Sequence, residues 1–343
     1  MHSMTRSLMT RSLFLLLWKS MMIVTGANGF IGSVMVWELN QNGFPVLATV
    51  DSISLEQRPD LLRNKKFEKF LLKDQLWDFL NLPSTIEKTT WIIHMGANSS
   101  TTETNAEHLW ENNTYYTQRI FEWCTKYKKN LIYASSAATY GAGELGYDDF
   151  LDSEQLKPLN LYGESKVKLD RWALKQGTTP PHWYGLKFFN VYGPNEHHKG
   201  PMTSVPFKAF HQIQESGQLK LFKSYRPEYK DGAQMRDFVY VKDVTFWMRE
   251  LMEKKPANGL YNMGFGQART WNALGEATFR SLEKPTQIQY IDMPENLRNQ
   301  YQYFTEANMA KWKAAGMSAP RWSLEDGIQD YMRNYLSRDN SVL

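Results

Sequence analysis

The sequence predicts an α/β protein with a doubly wound parallel sheet and a smaller C-terminal α/β lobe. Apolar stretches typical of strands recur through the first half of the chain, and segments with helical spacing separate them. Buried strands that alternate with helices form parallel sheets covered on both faces. Polar or glycine-rich clusters follow these stretches, so we expect them to meet at the carboxyl edge of the sheet, where such folds bind ligands.

The composition is that of an ordinary folded protein. Of 343 residues, 42% are hydrophobic and 22% charged, which excludes a disordered chain, a collagen-like fibre and a long coiled coil. Lys and Arg number 40 against 36 Asp and Glu, without the basic stripe of a nucleic-acid binder, so we expect no nucleic-acid partner. The single cysteine excludes an internal disulfide and a Cys-rich metal site. We therefore predict a cytoplasmic protein without a metal.

Residues 1–20 differ from the rest of the chain. Arg6 and Arg11 precede an apolar run, Leu13–Trp18, which is shorter than the apolar core of a signal peptide and far shorter than a membrane span. We expect residues 1–20 to be a disordered or misassigned extension, with a targeting role as the alternative. The working protein would then begin near Met21, and we expect no membrane partner.

The first predicted strand leads into a glycine-rich turn. The strand Ile23–Thr25 is followed by Gly26, Gly29 and Gly32, and a helix is predicted from Ile31 to Asn42. Glycines at this spacing allow a tight turn, a close approach of backbone amides to a pyrophosphate, and close packing of helix on strand. The helix N-terminus attracts the anion. This arrangement predicts a Rossmann-type dinucleotide-binding domain.

The second predicted strand ends at a candidate ribose-binding residue. Phe44–Val50 is apolar and is followed by Asp51, near the distance expected for the carboxylate that binds a ribose. Arg58 lies seven residues further on and would suit a 2′-phosphate. We therefore predict NADP, with NAD as the alternative. A turn residue and an ordinary surface arginine are the structural alternatives for these two positions.

Tyr162 and Lys166 form the candidate catalytic pair. Four residues apart at the start of a predicted helix, they share one helix face. A free phenol has a pKa of about 10, and we expect the neighbouring ammonium to lower it toward a useful range. Ser136, at the end of the strand that begins at Asn130, would donate a hydrogen bond to the reacting oxygen. The three side chains predict a site that removes an alcohol proton during hydride transfer.

At these residues the chain resembles the extended short-chain dehydrogenases/reductases that act on nucleotide sugars. The resemblance extends from Met22 to about Ser337. The strings typical of the whole group are Thr25–Gly32, Tyr133–Gly141, Tyr162–Lys166, Phe189–Pro194 and Arg236–Val244. Narrower strings resemble the ADP-L-glycero-D-manno-heptose 6-epimerases within it, and they are Asn98–Glu103, His198–Gly200 and Tyr301–Gly316.

The resemblance implies roles for many positions. The cofactor contacts would be Gly26, Gly29, Phe30, Ile31, Gly32, Asp51, Ser52, Arg58, Met95, Gly96, Ala97, Asn98, Ser99, Asn112, Lys166 and Val191. The substrate contacts would be Asn190, Pro201, Lys208, Phe222, Lys223, Ser224, Tyr225, Arg236 and Tyr301. Met95, Pro201 and Lys208 depart from the group's pattern, and the segment 226–235 is longer than usual, which leaves a related sugar or another nucleotide carrier open.

The implied activity is inversion at carbon 6 of a nucleotide-activated heptose, for synthesis of lipopolysaccharide core precursors. Inversion requires oxidation to a ketone and hydride return to the opposite face, so each orientation needs its own proton donor. The resemblance assigns these roles to Tyr162 and Lys199, with Ser136 and Lys166 assisting. The alternative for Lys199 is a solvated loop lysine. Arg236 would clamp the substrate diphosphate, or else form a surface ion pair with Asp237.

Two other activities stay open. One is 4-epimerisation or dehydration of a UDP-, dTDP- or GDP-sugar; dehydratases of this group carry an acidic pair after the catalytic serine or threonine, whereas Ala137 and Ala138 stand here. The other is a non-catalytic dinucleotide sensor. We expect residues 21–190 to form the NADP-binding domain, to which later segments return, and residues 191–337 mainly the substrate lobe. The resemblance also implies a homo-oligomer, with a pentamer as the specific expectation.

Overall fold

The computed structural model describes residues 20–298, 301–338 and 342–343. The expectation for residues 1–20 therefore falls outside the described residues, except at Ser20. The first strand begins at Met21, the position at which the sequence predicts the working protein to start.

Strands and helices alternate along most of the described chain. In chain order, the strands are β1 (Met21–Thr25), β2 (Val46–Asp51), β3 (Lys69–Leu72), β4 (Thr89–His94), β5 (Asn130–Ser136), β6 (Trp183–Phe188), β7 (Asn190–Tyr192), β8 (Leu219–Phe222), β9 (Met235–Arg236), β10 (Phe238–Tyr240), β11 (Gly259–Met263), β12 (Arg269–Thr270) and β13 (Ile288–Ile291). The helices are α1 (Phe30–Gln41), α2 (Leu76–Leu80), α3 (Pro83–Lys88), α4 (Ala106–Leu109), α5 (Tyr116–Lys126), α6 (Leu161–Leu174), α7 (Val205–Ser216), α8 (Val241–Lys254), α9 (Trp271–Ser281), α10 (Glu295–Arg298), α11 (Ala310–Ala314) and α12 (Leu324–Tyr331). A π-helical segment, Trp110–Tyr115, joins α4 to α5, and another, Met332–Leu336, follows α12.

The main sheet confirms the predicted fold class. Seven strands lie in the order β11-β6-β5-β4-β1-β2-β3, and every neighbouring pair is parallel. The chain moves outward in one direction from β1 through β3 and in the other from β4 onward. The switch point between β1 and β4 therefore opens a crevice at the carboxyl edge, where Thr25 pairs with His94.

Two strands of this sheet do not follow from the sequence pattern. In β3 only Leu71 is buried, because an edge strand needs no continuous apolar run. The segment Gly259–Met263 falls in the stretch that the sequence assigns mainly to the substrate lobe. It forms strand β11, which pairs with β6 at the far end of the main sheet.

Helices cover both faces of the sheet. On one face, α1 and α8 enclose a core that includes Val24, Met35 and Trp247. The carboxylate of Glu38 on α1 accepts a hydrogen bond of 2.8 Å from Arg249 on α8, which fixes the two helices to each other. On the other face, α5 and α6 bury residues of a second core against the inner strands.

The smaller lobe is built from residues after β7. Strand β8 pairs with β13 in parallel and β9 with β12 in antiparallel fashion. Helices α7, α9 and α12 surround a core that contains Phe210, Leu274 and Ile328. Helix α8 and strand β11 also come after residue 190 but pack with the main sheet, which is the return of later segments that the sequence suggests. The exact boundary at residue 190 stays a prediction.

Candidate active site

A cleft of about 620 Å³ opens at the carboxyl edge of the sheet. Its walls come from the ends of β1, β2, β4, β5 and β6, from helix α6 and from the loop around Lys199. All sixteen predicted cofactor residues line it: Gly26, Gly29, Phe30, Ile31, Gly32, Asp51, Ser52, Arg58, Met95, Gly96, Ala97, Asn98, Ser99, Asn112, Lys166 and Val191. The four predicted catalytic residues, Ser136, Tyr162, Lys166 and Lys199, line it as well.

The glycine turn has the shape of an anion cradle. Gly26 has a φ of +64°, and a Cβ there would lie 2.5 Å from the backbone nitrogen of Gly96. A Cβ on Gly32 would lie 2.0 Å from the carbonyl oxygen of Gly26. Helix α1 begins at Phe30 with Gly29 as its N-cap, and no side chain caps its first amides. These amides are therefore available to a pyrophosphate, and the turn fits the phosphates of a dinucleotide.

The loop after β2 is tied to this turn through Asn28. The amide nitrogen of Asn28 donates to the Asp51 carboxylate at 2.8 Å, and its side-chain nitrogen donates to the carbonyls of Ile53, Ser54 and Arg58 at 3.0–3.2 Å. The Arg58 guanidinium in turn donates to the Asn28 carbonyl. No role is predicted for Asn28 from the sequence, although it lies within the glycine turn.

The pKa of the Asp51 carboxyl is subject to opposing effects. Burial raises this pKa, while the amides of Ile53 and Asn28 and the positive charge of Arg58 lower it. The carboxylate lies at the cleft wall beside an arginine, so the loop offers an acceptor for ribose hydroxyls and a cation for a phosphate.

Helix α6 places the catalytic pair. The side chain of Asn160 caps the helix by accepting from the Gly163 amide at 2.8 Å. Lys166 donates to the Ala134 carbonyl at 2.8 Å, and its Nζ lies 6.0 Å from the centroid of the Tyr162 ring. A Cβ on Gly163 would lie 2.8 Å from the Ala138 carbonyl oxygen, so the glycine lets α6 approach the segment that follows the end of β5.

The protonation of this pair differs from the expectation. Burial raises the pKa of the Tyr162 phenol; the hydrogen bond with Ser136 lowers it and the charge of Asp170 raises it further. Burial lowers the pKa of Lys166 to about 8, with Asp170 opposing. The expected lowering of the phenol's pKa is therefore wrong, because burial is the largest effect on this pKa and raises it.

Lys199 lines the cleft from a short helical segment, His197–Met202, that is broken at Gly200. Its Nζ is 5.2 Å from the Phe30 ring centroid. Burial lowers its pKa, Glu196 raises it and Lys208 lowers it. A half-buried lysine on the cleft wall contradicts the solvated-loop alternative. His197 anchors the segment, since its Nε2 lies 2.6 Å from a carboxylate oxygen of Asp60.

Several residues of the cleft are absent from the sequence prediction. Those with polar side chains able to titrate are Lys73, His94, His108, Tyr116 and His198. Lys73 follows β3 and donates to Asn112, so recognition of that short edge strand would have revealed it. His94 ends β4 and lies between the hydroxyls of Thr25 and Thr117, at 2.5 and 2.9 Å. Burial, with Lys166 and Lys73, lowers the pKa of His94 to about 3, so its ring is neutral.

A second group of predicted residues meets in the smaller lobe. The guanidinium carbon of Arg236 lies 5.1 Å from the Tyr301 ring centroid and 5.7 Å from that of Trp271. Phe222 packs edge-on against Tyr301, whose hydroxyl accepts from the Trp271 indole at 2.9 Å. Trp271 is a further residue that is not predicted from the sequence. The cluster offers a buried cation among aromatic faces.

The surface ion pair proposed as the alternative for Arg236 is not present. Asp237 is fully buried, and its carboxylate accepts from the amides of Phe265, Gly266 and Ala307 at 2.6–3.0 Å. It therefore holds loops of the smaller lobe together, while the Arg236 guanidinium donates to the Met235 carbonyl at 2.9 Å.

The remaining substrate predictions lie nearer the surface. Lys223 and Tyr225 both contact the Asp292 carboxylate, at 3.1 Å each. Ser224 donates to the Arg226 carbonyl. Lys208 donates to the Pro201 carbonyl at 2.7 Å, and Asn190 is exposed at the start of β7. None of these six lines the cofactor cleft, so their substrate contacts stay predictions.

Comparison with known proteins decides the family. The model of the family described as "NAD dependent epimerase/dehydratase family" matches residues 22–264. The chain belongs to this family. It is 45% identical over 332 residues to the ADP-L-glycero-D-manno-heptose-6-epimerase of Fusobacterium nucleatum, covering 94% of this chain and 100% of the relative. It is 46% identical over 321 residues to the enzyme of the same name from Nitratidesulfovibrio vulgaris, covering 92% and 98%.

A solved structure agrees with these relatives. The crystal structure of the Helicobacter pylori ADP-L-glycero-D-manno-heptose-6-epimerase matches with a TM-score of 0.73 at 25% identity, covering 93% of this chain and 96% of that one. The family predicted from the sequence is therefore confirmed. The family is NAD dependent, which supports a nicotinamide dinucleotide cofactor, and the glycine turn of the cleft fits a pyrophosphate.

Neither a metal cluster nor a membrane-spanning helix is present in the described part of the chain. Within residues 20–298, 301–338 and 342–343, no three His, Cys, Asp or Glu side chains cluster so as to hold a metal ion. Among the helices of these same ranges, none combines the length and apolarity needed to cross a membrane.

Proposed function

We propose that the protein is an isomerase that converts ADP-D-glycero-D-manno-heptose to ADP-L-glycero-D-manno-heptose. The observation that carries the proposal is one cleft that holds a dinucleotide turn and two separate proton-transfer groups, Tyr162 and Lys199. The full-length relatives at 45% and 46% identity carry the name of this epimerase. The product would serve the synthesis of lipopolysaccharide core precursors, in the cytoplasm.

Tyr162, Ser136 and Lys166 would act at the first orientation of the substrate. A nicotinamide dinucleotide in the cleft supplies a hydride acceptor and, later, a hydride donor. In this step Tyr162 would act as the phenolate, whose oxygen takes the proton of the 6-hydroxyl, while Ser136 donates a hydrogen bond to the 6-oxygen of the sugar. Lys166, held by the Ala134 carbonyl, keeps a positive charge beside the phenol and can bind ribose hydroxyls.

Lys199 would act at the second orientation. The ketone must turn over in the cleft before its other face is reduced, which brings its oxygen to a different wall. Lys199 comes from the segment after β7, whereas Tyr162 comes from α6. Burial lowers the pKa of Lys199, which makes its ammonium a better proton donor to the forming alkoxide. One full cycle leaves the cofactor in its starting redox state.

The remaining assignments concern the two ligands. We infer NADP as the cofactor, because the Arg58 guanidinium stands beside the ribose carboxylate Asp51 and suits a 2′-phosphate. Arg236, buried among Trp271 and Tyr301, would bind the substrate diphosphate. The homo-oligomer implied by the resemblance, with a pentamer as the specific expectation, is testable by light scattering.

The test uses purified protein and ADP-D-glycero-D-manno-heptose, with the configuration at carbon 6 followed by NMR. We expect conversion to an equilibrium mixture of the two epimers without added oxidant or reductant. UDP-glucose is the matched substrate control and should not be converted. Turnover of UDP-glucose with an inert ADP-heptose would overturn the assignment in favour of a 4-epimerase, and accumulation of a dehydrated keto-sugar would favour a dehydratase. If no product formed from either substrate, the result would favour the alternative of a non-catalytic dinucleotide sensor.

A further inference from the structure

A buried ion pair lies behind the catalytic helix. A carboxylate oxygen of Asp170 on α6 is 3.2 Å from Nζ of Lys187 on β6, and the two side chains are 0% and 1% exposed. Asp170 follows Lys166 by one helical turn and Tyr162 by two, on the same face of α6. The pair therefore continues the row of catalytic side chains into the protein interior.

Both members of the pair are bonded to the strand end that carries Ser136. Ser135 donates to Asp170 at 2.7 Å. Lys187 donates to the Thr139 hydroxyl at 2.7 Å. This hydroxyl in turn donates to the Ser136 carbonyl at 2.8 Å. The pair thus braces Ser136 from both sides, through its neighbour in β5 and through its own carbonyl.

Stability alone does not account for such a pair. Taking two charges out of water is expensive, and apolar residues of similar volume in their place are often neutral or stabilising. Lys166, one helical turn before Asp170, is itself buried at 2% exposure, and its hydrogen-bond partner, the Ala134 carbonyl, is neutral. A buried ammonium needs a negative charge nearby to stay protonated.

The charges around the two lysines make Asp170 the relevant carboxylate. His94 faces Lys166 from β4 but is neutral. Burial lowers the pKa of Lys166, and Asp170 is the group that raises it. The other titratable or charged groups packed around the pair include Tyr133, Tyr140, Asp149, Tyr162, Arg171 and Lys311. Of these, Asp149 raises the pKa of Lys187.

We propose that Asp170 is a positioning residue of the epimerase site: its carboxylate supplies the negative charge one helical turn from Lys166 and, together with Lys187, fixes the strand end that bears Ser136. Lys187 balances this carboxylate and so limits how strongly it acts on Lys166. The proposal depends on the proposed function only for its activity readout.

The experiment compares the pH profile of kcat in Asp170→Asn and Lys187→Met. Activity requires protonated Lys166, so it falls as pH rises through the pKa of this group. Removing the Asp170 charge should move that alkaline limb to lower pH by about one unit or more. Removing Lys187 frees the carboxylate to act on Lys166 and should move the limb to higher pH. A merely structural role would not shift the two limbs in opposite directions.

Folding is controlled by a double variant. Asp170→Asn alone leaves Lys187 buried without its partner, which is strongly destabilising. Asp170→Asn/Lys187→Met removes both charges, so we expect the double variant to be more stable than Asp170→Asn. Its alkaline limb should still lie at lower pH than that of the wild type. The matched control is Asp330→Asn/Lys242→Met, which neutralises another mostly buried pair, 2.5 Å apart, away from the cleft. It should leave the limb unchanged.

A second readout needs no sugar substrate. Binding of NADPH, measured by fluorescence across the same pH range, should weaken as Lys166 loses its proton, with the variants displaced in the same directions. An inert wild type with ADP-heptose would overturn the proposed function, while these binding curves would still test the inference. Folded single variants with coincident binding curves, or with limbs moved in the same direction, would overturn it.

Discussion

Replacing Gly26 by alanine tests whether the glycine turn is shaped by its contact with the end of β4. The added methyl would lie 2.5 Å from the Gly96 nitrogen and 2.6 Å from the Met95 carbonyl carbon. Both contacts are to backbone, so relief requires one strand end to move. The φ of +64° adds the strain of a left-handed conformation.

The magnitude follows from a comparison with Gly43. That residue also has a positive φ, +74°, but a Cβ there meets nothing within 4 Å. Gly43→Ala should therefore lower the free energy of unfolding by about 1 kcal/mol, from backbone strain alone. Gly26→Ala adds overpacking, which costs about 1–3 kcal/mol, so we expect a total loss of about 2–4 kcal/mol.

The assay combines denaturant unfolding with NADPH titration followed by fluorescence. Movement of the turn displaces the amides at the start of α1, so Gly26→Ala should weaken NADPH binding by about tenfold or more, which corresponds to about 1.4 kcal/mol. Gly43→Ala, at the other end of that helix, should bind NADPH as the wild type does. Equal losses of stability and affinity in the two variants would refute the role assigned to the close approach at Gly96.

Three further predictions concern single residues of the cleft. Tyr162→Phe and Lys199→Met should each lower kcat by about 10²-fold or more while NADPH still binds; full activity of the Lys199 variant by NMR would contradict the use of two proton donors. Arg58→Leu should weaken binding of NADPH relative to NADH by about 10–100-fold, and Arg58→Lys by less, because only lysine keeps the charge; an unchanged ratio would argue for NAD. The pKa of His94 is lowered to about 3, so the unfolded chain takes up this proton first and stability should fall as pH drops from about 6.5 toward 3. Denaturant unfolding of His94→Gln should show a shallower fall in that window, and an unchanged slope would mean that His94 does not titrate as described.

The sheet and the cofactor cleft follow from the sequence because their signals are local. An apolar strand followed at once by glycines, a serine pair or an acidic residue shows which end of the strand faces the ligand, as at Thr25, Asp51 and Ser136. Strand β3 lacks this signal, since three of its four side chains are not buried. Because β3 is not predicted from the sequence, Lys73 is not predicted as a cleft residue either, since its place in the cleft depends on where that strand ends.

Long-range partnerships do not follow from the sequence. Asp170 and Lys187 meet because β6 pairs beside β5 and α6 packs over both, which no spacing in the chain reveals. The neutral state of His94 similarly depends on burial between two hydroxyls from different elements. The pKa of Tyr162 is a further case, since a lysine one turn away predicts a lowered pKa, whereas burial of the phenol in the folded protein raises it.

The web of bonds around Asn28 has a consequence for redesign of the cofactor preference. Its backbone and side chain join the phosphate turn to the loop that carries Asp51 and Arg58. A transplanted loop would keep these bonds only if its backbone carbonyls reached the side chain of Asn28 in the same positions. Redesign of the cofactor preference therefore has to treat the phosphate turn and this loop as one structural unit.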